Sequence, residues 1–316
     1  MHKLTETKIF SGTANPLLAQ AIADNLELPL GNIEVDHFSD GEIRVEINEH
    51  VRGHDVIIVQ PTCAPANNNL MELLIMTETF RRSACKSVTA VVPYWGYARQ
   101  DRRPPLTRTP ITSSLVARMC ELAGINKVVI VDIHSDQQQG FFQIPVINIS
   151  AAPLMVADIW KKQYPHLTIV SPDTGGVVRA RSIAKRLDDA DLAIIDKRRP
   201  KANVSEVMNL IGNVMDRYCI IVDDMIDTAG TLCKAAIALK NAGAAYVAAY
   251  ASHPVLSGSA LDNIASTQAL DEVVVTDTIP MKDNPPEKIR VLSVANLIGE
   301  STRRLLSNQS VSEIYT

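Results

Sequence analysis

The sequence is poor in cysteine, and what it has is arranged for nothing. The five residues, Cys63, Cys85, Cys120, Cys219 and Cys233, are odd in number, scattered and never in a Cys-x-x-Cys pair. That excludes a disulfide framework and a thiolate zinc site, and leaves small buried hydrophobes in a reducing compartment. An excess of positive charge is missing too: 31 Lys and Arg face 35 Asp and Glu. The chain therefore offers no global footprint for duplex nucleic acid or an anionic membrane, and any anion must be bound locally. No stretch approaches the ~20 apolar residues that cross a bilayer, and MHKLTETKIF holds no apolar run of secretory length. These absences predict a soluble, cytoplasmic protein with neither nucleic acid nor membrane as partner.

What is present is core. A chain of 316 residues, 46% of them apolar, exceeds the usual size of one domain, so two are expected. Short runs rich in Val and Ile recur at Asp55 to Gln60, Val88 to Val92, Lys127 to Asp132, Leu167 to Val170, Leu192 to Asp196 and Tyr218 to Val222. Such continuous apolar runs mark strands buried on both faces of a parallel sheet. Helical spacing fills the intervals at Asn69 to Arg82, Thr112 to Leu122 and Thr231 to Asn241, and the alternation predicts an α/β fold. Glu42 to Asn48 instead alternates polar and apolar residues after an Asp40-Gly41 turn, which predicts an N-terminal hairpin attached to the first sheet. With no low-complexity linker, the boundary is set by pattern near Ser150, giving domains 1–150 and 151–316. DVIIVQPT and YCIIVDDMIDT occupy similar places in the two halves, a faint sign of a duplicated unit.

Chemistry collects where strands end, the place at which open α/β sheets bind ligands. Ile220 to Val222 runs into Asp223-Asp224-Met225-Ile226-Asp227-Thr228-Ala229-Gly230-Thr231, where a helix begins. The helix amides and dipole attract an anion, and Thr228 and Thr231 add hydroxyl donors. Asp223 and Asp224 would repel a bare phosphate; they suit sugar hydroxyls or a nearby metal. A phosphorylated ribose satisfies both halves. The alternative is that Asp227 or Thr228 caps the helix and the other acids are solvated. Asp196-Lys197-Arg198-Arg199-Pro200-Lys201-Ala202-Asn203 is either a solvated basic turn or a loop that folds over a polyphosphate. Asp173, in SPDTGG, lies at another strand end with oxygen suited to magnesium. His134 follows the run Val128 to Ile133 and is the best placed of seven histidines, although a lone histidine is usually structural. Tyr97 to Arg103 brings guanidinium groups suited to phosphates and Gln100 suited to a base edge, against the reading of a plain exposed loop.

Taken together, VDDMIDTAGT, DKRRPKANV, VSPDTGGVVRA, DIHSDQQQGFF, YARQDRR and FSDGEIRVEINEHVRG resemble the class I ribose-phosphate pyrophosphokinases, the synthetases of phosphoribosyl pyrophosphate. The resemblance runs from KIFSGTANPLLA to SVSEIY, and the order of motifs distinguishes it from phosphoribosyltransferases, which share the acidic loop alone. It implies two phosphoribosyltransferase-like domains, each a mainly parallel sheet flanked by helices, and transfer of pyrophosphate from Mg-ATP to ribose 5-phosphate, feeding nucleotide, histidine and tryptophan biosynthesis. Lys197 and Arg199 would be catalytic. Arg199, Asp223, Asp224, Asp227, Thr228, Ala229, Gly230 and Thr231 would bind ribose 5-phosphate, the first domain carrying the nucleotide site and assembly, the second this loop. Phe38, Asp40, Gly41, Glu42, Arg99, Gln100, Asp101 and His134 would bind ATP, the hairpin residues from a neighbouring subunit, and His134 and Asp173 would attend Mg2+. The family implies a homohexamer and phosphate and ADP as effectors. Ala229 stands where many members have Gly, and His50, Thr107-Arg108 and Tyr315 depart from the family in the region that answers to those effectors.

Overall fold

The computed structural model describes residues 6–198, 207–281 and 284–315. The chain divides into two compact units, Met1–Ser150 with Thr278–Pro280 and Ser293–Thr316, and Ala151–Asp277 with Met281–Leu292.

In the first unit the strands are β1 (Thr7–Ser11), β2 (Ile33–His37), β3 (Ile43–Ile47), β4 (Asp55–Val59), β5 (Ser87–Val92), β6 (Lys127–Val131) and β7 (Val146–Ile149). The helices α1 (Pro16–Leu26), α2 (Ala66–Arg82) and α3 (Thr112–Ala123) lie between them. Five strands make a parallel sheet in the order β1-β4-β5-β6-β7. Their runs, such as Val56 to Val59 and Val128 to Val131, are buried throughout, because helices cover both faces of a parallel sheet. The expected hairpin forms, but not on that sheet: β2 and β3 make a separate antiparallel ribbon. Its apolar face, Ile33, Val35, Val45 and Ile47, packs on the same core as Leu70, Leu73, Met76 and Phe80 of α2. Alternating residues need one covering surface, and here a helix supplies it.

The second unit holds β8 (Leu167–Ser171), β9 (Asp191–Arg198), β10 (Val207–Ile211), β11 (Tyr218–Ile226), β12 (Tyr246–Pro254), β13 (Glu272–Thr276) and β14 (Ile289–Leu292). Helices α4 (Ala152–Lys162), α5 (Val177–Lys185), α6 (Gly230–Asn241) and α7 (Ala260–Ser266) accompany them. The sheet order is β10-β9-β8-β11-β12-β13-β14, parallel except for β10, which returns antiparallel along β9. From β8 the chain builds outward to β9 and β10, then crosses back to β11 and builds the other way. The order therefore reverses between β8 and β11, which makes a crevice beyond their carboxyl ends.

The chain does not end in the second unit, as domains 1–150 and 151–316 would have it. Its last helix, α8 (Ala295–Leu306), clusters with the first unit. Ala295, Ile298, Thr302 and Leu306 form its buried stripe, and α8 packs along α1. Gly299 allows the close approach: a Cβ there would collide with the Asn25 side chain of α1. Full burial of Ile298 alone stabilises this docking by about 2 kcal/mol.

Candidate functional site

The crevice between β8 and β11 is built by unequal strand lengths. β11 pairs with β8 only as far as Ile221↔Val170, while its pairing with β12 continues to Ile226↔Pro254. Asp223 and Asp224 therefore belong to the strand rather than to a loop, which corrects the sequence expectation. Asp223 stays in register with Ala251 of β12, beyond the last pair that β11 makes with β8. The Asp224 amide donates to Asp223 Oδ1 at 2.9 Å. Two adjacent carboxylates in a half-closed crevice repel, and burial, with the Asp224 carboxylate beside it, pushes the Asp223 carboxyl up to about 7.

A cation partly offsets this crowding. Arg179, in the first turn of α5, places Nη1 3.4 Å from Asp224 Oδ1 and 3.6 Å from Asp223 Oδ1. Sequence reasoning assigned Arg179 no role, although VSPDTGGVVRA contains it. The available signal was electrostatic: two neighbouring acids at a strand end require a positive group, and an Arg opening the helix after the adjacent strand is the nearest one.

The loop proper is three residues, Asp227, Thr228 and Ala229, before α6. It is braced from behind. Ser257 donates its hydroxyl to Asp227 Oδ1 and its amide to Asp227 O, and Asn263 Nδ2 donates to Thr228 O at 2.9 Å. Ala229 sits at the cap position in the left-handed region, φ 60°. That conformation turns the chain into the helix, and it explains why glycine suits the position. The cap position is taken by Ala229, which has no side-chain acceptor to offer the helix. The first amides of a 12-residue helix thus face a crevice edged by the exposed Thr228 and Thr231, a ready anion site.

The other predicted residues of this unit lie near the same sheet edge. Asp173 follows β8 directly; its Oδ1 accepts from the Gly176 amide at 2.9 Å, closing the turn into α5, and the residue is exposed. The basic segment begins as strand, not loop, since Asp196, Lys197 and Arg198 pair with Asn209, Met208 and Val207. β9 overruns β8 there and needs the antiparallel β10 as partner. The Lys197 side chain and the whole of Arg199 lie outside the described residues.

In the first unit, Arg99, Gln100 and Asp101 follow β5 and His134 follows β6, neighbouring strands of the sheet. Arg99, Gln100 and His134 are exposed. Asn148 Oδ1 accepts from the Ile133 amide at 3.0 Å, and its Nδ2 donates to Asp136 at 3.2 Å, holding the His134 turn from both ends. Asp132, before it, has φ 37°, a strained conformation of the kind that functional loops store. Phe38, Asp40, Gly41 and Glu42 form the tip of the ribbon, closed by Phe38 N–H to Glu42 O at 2.8 Å and Gly41 N–H to Phe38 O at 2.9 Å. Gly41, at φ 93°, fits that turn as only glycine readily does.

The strand end after β4 shows why the first unit has no equivalent of the acidic loop. Gln60 stands after Val59 as Asp223 stands after Val222. Its amide bonds the Glu72 carboxylate, which accepts from Thr13 N at 2.6 Å, Thr13 Oγ1 at 2.6 Å and Gln60 Nε2 at 2.9 Å. An internal carboxylate therefore takes up the donors at this strand end.

Residues 7–124 match the family model of the N-terminal domain of ribose phosphate pyrophosphokinase, and residues 195–316 match that of the phosphoribosyl synthetase-associated domain. The chain is 56% identical to the ribose-phosphate pyrophosphokinase of Bordetella parapertussis over 97% of this chain and 99% of that protein. It is 55% identical to that of a Marinomonas species over 99% of both. The crystal structure of phosphoribosylpyrophosphate synthetase from Mycobacterium smegmatis superposes with a TM-score of 0.90 at 37% identity, covering 96% of this chain and 99% of that one. The chain belongs to the ribose-phosphate pyrophosphokinase family.

Proposed function

We infer that this enzyme transfers the pyrophosphoryl group of ATP to the C1 hydroxyl of ribose 5-phosphate, giving phosphoribosyl pyrophosphate and AMP. The observation that carries the reading is the start of α6, with the left-handed Ala229 at its cap, beside the Asp223–Asp224 pair, beyond the strand-order reversal, in a chain of this family. One end of that crevice takes a phosphate and the other takes vicinal hydroxyls.

The amides of Gly230 and Thr231, with the Thr228 and Thr231 hydroxyls, hold the 5-phosphate. Asp223 and Asp224 accept from the sugar hydroxyls, and Arg179 keeps their geometry. This orients the C1 oxygen for in-line attack on the β-phosphorus, where positioning and placed cations supply most of the rate. Lys197 and Arg199 neutralise charge as it develops on the transferred group. Arg99, Gln100, Asp101 and His134 hold the nucleotide, together with Phe38, Asp40, Gly41 and Glu42 from a neighbouring subunit.

Mg2+ suits this donor set. The carboxylates at the strand ends, the adjacent Asp223 and Asp224 and the exposed Asp173, offer hard oxygen donors. That fits a cation that keeps water and substrate phosphate oxygens and takes few protein ligands. His134 and Asp173 would attend it, and when bound it supplies charge neutralisation on the phosphate oxygens.

The enzyme works in the cytoplasm as a homohexamer, with phosphate and ADP as effectors. Support for assembly through the first unit is a groove of about 670 Å³ between α2 and α3, lined by Met71, Leu74, Met119 and Leu122, with Leu122 81% exposed. Light scattering tests the assembly. The matched synthetase-associated domain favours a second reading, a non-catalytic subunit. AMP release from ATP with and without ribose 5-phosphate separates the two: sugar-dependent AMP is expected, and its absence overturns the enzyme reading. Lys197→Ala should lower kcat by a hundredfold or more while leaving the KM for ribose 5-phosphate within a fewfold, as for a contact made chiefly in the transition state.

A further inference from the structure

Three segments of the first unit meet on one buried amide. Gln138, fully buried in the 3-10 turn Asp136–Phe141 after β6, donates from Nε2 to Ala98 O at 2.9 Å. Its Oε1 accepts from Ser113 Oγ, itself buried at the start of α3, at 2.6 Å. The Ser113 amide donates in turn to Gln100 O at 3.2 Å, and Thr112 Oγ1 donates to the Gln100 side chain.

The bonds close a ring. Ala98 O is fixed by Gln138, Gln100 O by Ser113, and Ser113 is fixed to Gln138. The one residue between the two pinned carbonyls is Arg99. From Gln100 to Thr112 the chain makes an exposed loop carrying Pro104, Pro105 and Pro110, and the ring shuts the base of that loop beside Arg99. Gln138 also lies four residues after His134, with its own amide donating to Ser135 O at 3.1 Å. The ring therefore couples the loop after β5 to the turn after β6.

A leucine or methionine would fill the same space. A buried amide is favoured over them only where both of its ends are paired, and its bonds are directional where apolar packing is not. We propose that Gln138 and Ser113 are positioning residues that set the presentation of Arg99 and His134 to the nucleotide. The proposal rests on the nucleotide-site reading given above.

The test is steady-state kinetics and direct ATP binding, without sugar, on the full chain with Gln138→Met, Ser113→Ala and the double variant. Gln138→Met should raise the KM and Kd for ATP about tenfold, the scale of one to two lost hydrogen bonds, with the KM for ribose 5-phosphate within twofold. Ser113→Ala, the gentler change, should move ATP in the same direction by threefold or more. The double variant should be no worse than Gln138→Met, since both break one ring. ATP parameters unchanged in the folded single variants would overturn the proposal. So would an equal change for both substrates, or a loss of activity that only follows loss of folded protein. If the parent releases no AMP but binds ATP, the reaction assignment fails while the binding arm still decides the ring. A parent that binds no ATP overturns both.

Discussion

At the scale of single residues, the site's chemistry turns on Asp223. Burial and the neighbouring Asp224 push its carboxyl up to about 7, while in the unfolded chain a carboxyl titrates near ~4. A raised carboxyl pKa disfavours the charged form in the fold. The stability that protonation provides is present below the unfolded value and is lost as pH rises through the folded one. Binding runs the other way, because sugar hydroxyls donate to an ionised carboxylate. Metal-free affinity for ribose 5-phosphate should therefore fall as pH drops from about 8 to 6, approaching tenfold per unit below the folded value. The ligand phosphate titrates near ~6 as well, so Asp223→Asn is the control: it should weaken binding at pH 8 and leave only the shallower ligand titration. Calorimetry at four pH values checks this, and parallel profiles for parent and variant would count against Asp223 as the acceptor. Ala229 carries a different strain. At φ 60° a Cβ costs about 1 kcal/mol that glycine avoids. Ala229→Gly should accordingly be neutral or raise stability by about 0.5 to 1 kcal/mol in urea denaturation, where Ala→Gly inside an ordinary helix lowers it by a similar amount.

At the scale of elements, the far edge of the second sheet is tied by charge. Arg290 on β14 forks onto Asp158 of α4 at 2.8 and 2.6 Å and reaches Glu272 of β13 at 2.9 Å, while Tyr250 of β12 donates to Asp158 at 2.7 Å. Burial pushes both carboxyls up, but bonds from Arg290, with Tyr250 on Asp158 and Lys162 beside Glu272, outweigh it and hold them below the usual carboxylate range. Depressed carboxyl values contribute stability above about pH 4 that is lost as pH falls through the folded values. Arg290→Met should cost about 1 to 2 kcal/mol at pH 7, since Arg290 is 33% and Asp158 16% exposed. The gap between parent and variant should narrow below about pH 4, as denaturation at pH 7, 5 and 3 would reveal. Legibility also divides at this scale. β4, β5 and β6 are readable because continuous Val and Ile admit little else. β12, YVAAYASHP, is as deeply buried, yet alanine carries no strand signature. Asp223 and Asp224 read as loop because acids are rare in strands; only the overrun of β11 past β8 puts them there. Arg179 and Gln138 escaped because their roles exist only in contacts 44 or 45 and 25 or 40 residues away along the chain, which local pattern does not encode.

For the molecule as a whole, periodicity discloses that α8 has an apolar face but not which unit receives it. The boundary near Ser150 is legible from the end of a strand pattern, and the return at Ser293 is not, because nothing in ANLIGESTRRLL names α1 as its partner. The consequence is physical. Residues 1–150 alone leave bare the α1 surface that α8 packs along. Residues 151–292 keep a core of their own, built around Val170, Ile195, Ile221, Leu239, Val247 and Val273. A fragment 151–292 should therefore unfold cooperatively on heating, whereas 1–150 should be aggregation-prone or melt without a sharp transition. Adding the peptide 293–316 in trans should sharpen and raise the melting of 1–150 in a concentration-dependent way, as any ligand of the folded state does, and leave 151–292 unmoved. Calorimetric scans of the two fragments with and without the peptide measure this. Stabilisation of 151–292 by the peptide, with no effect on 1–150, would return the last helix to the second unit.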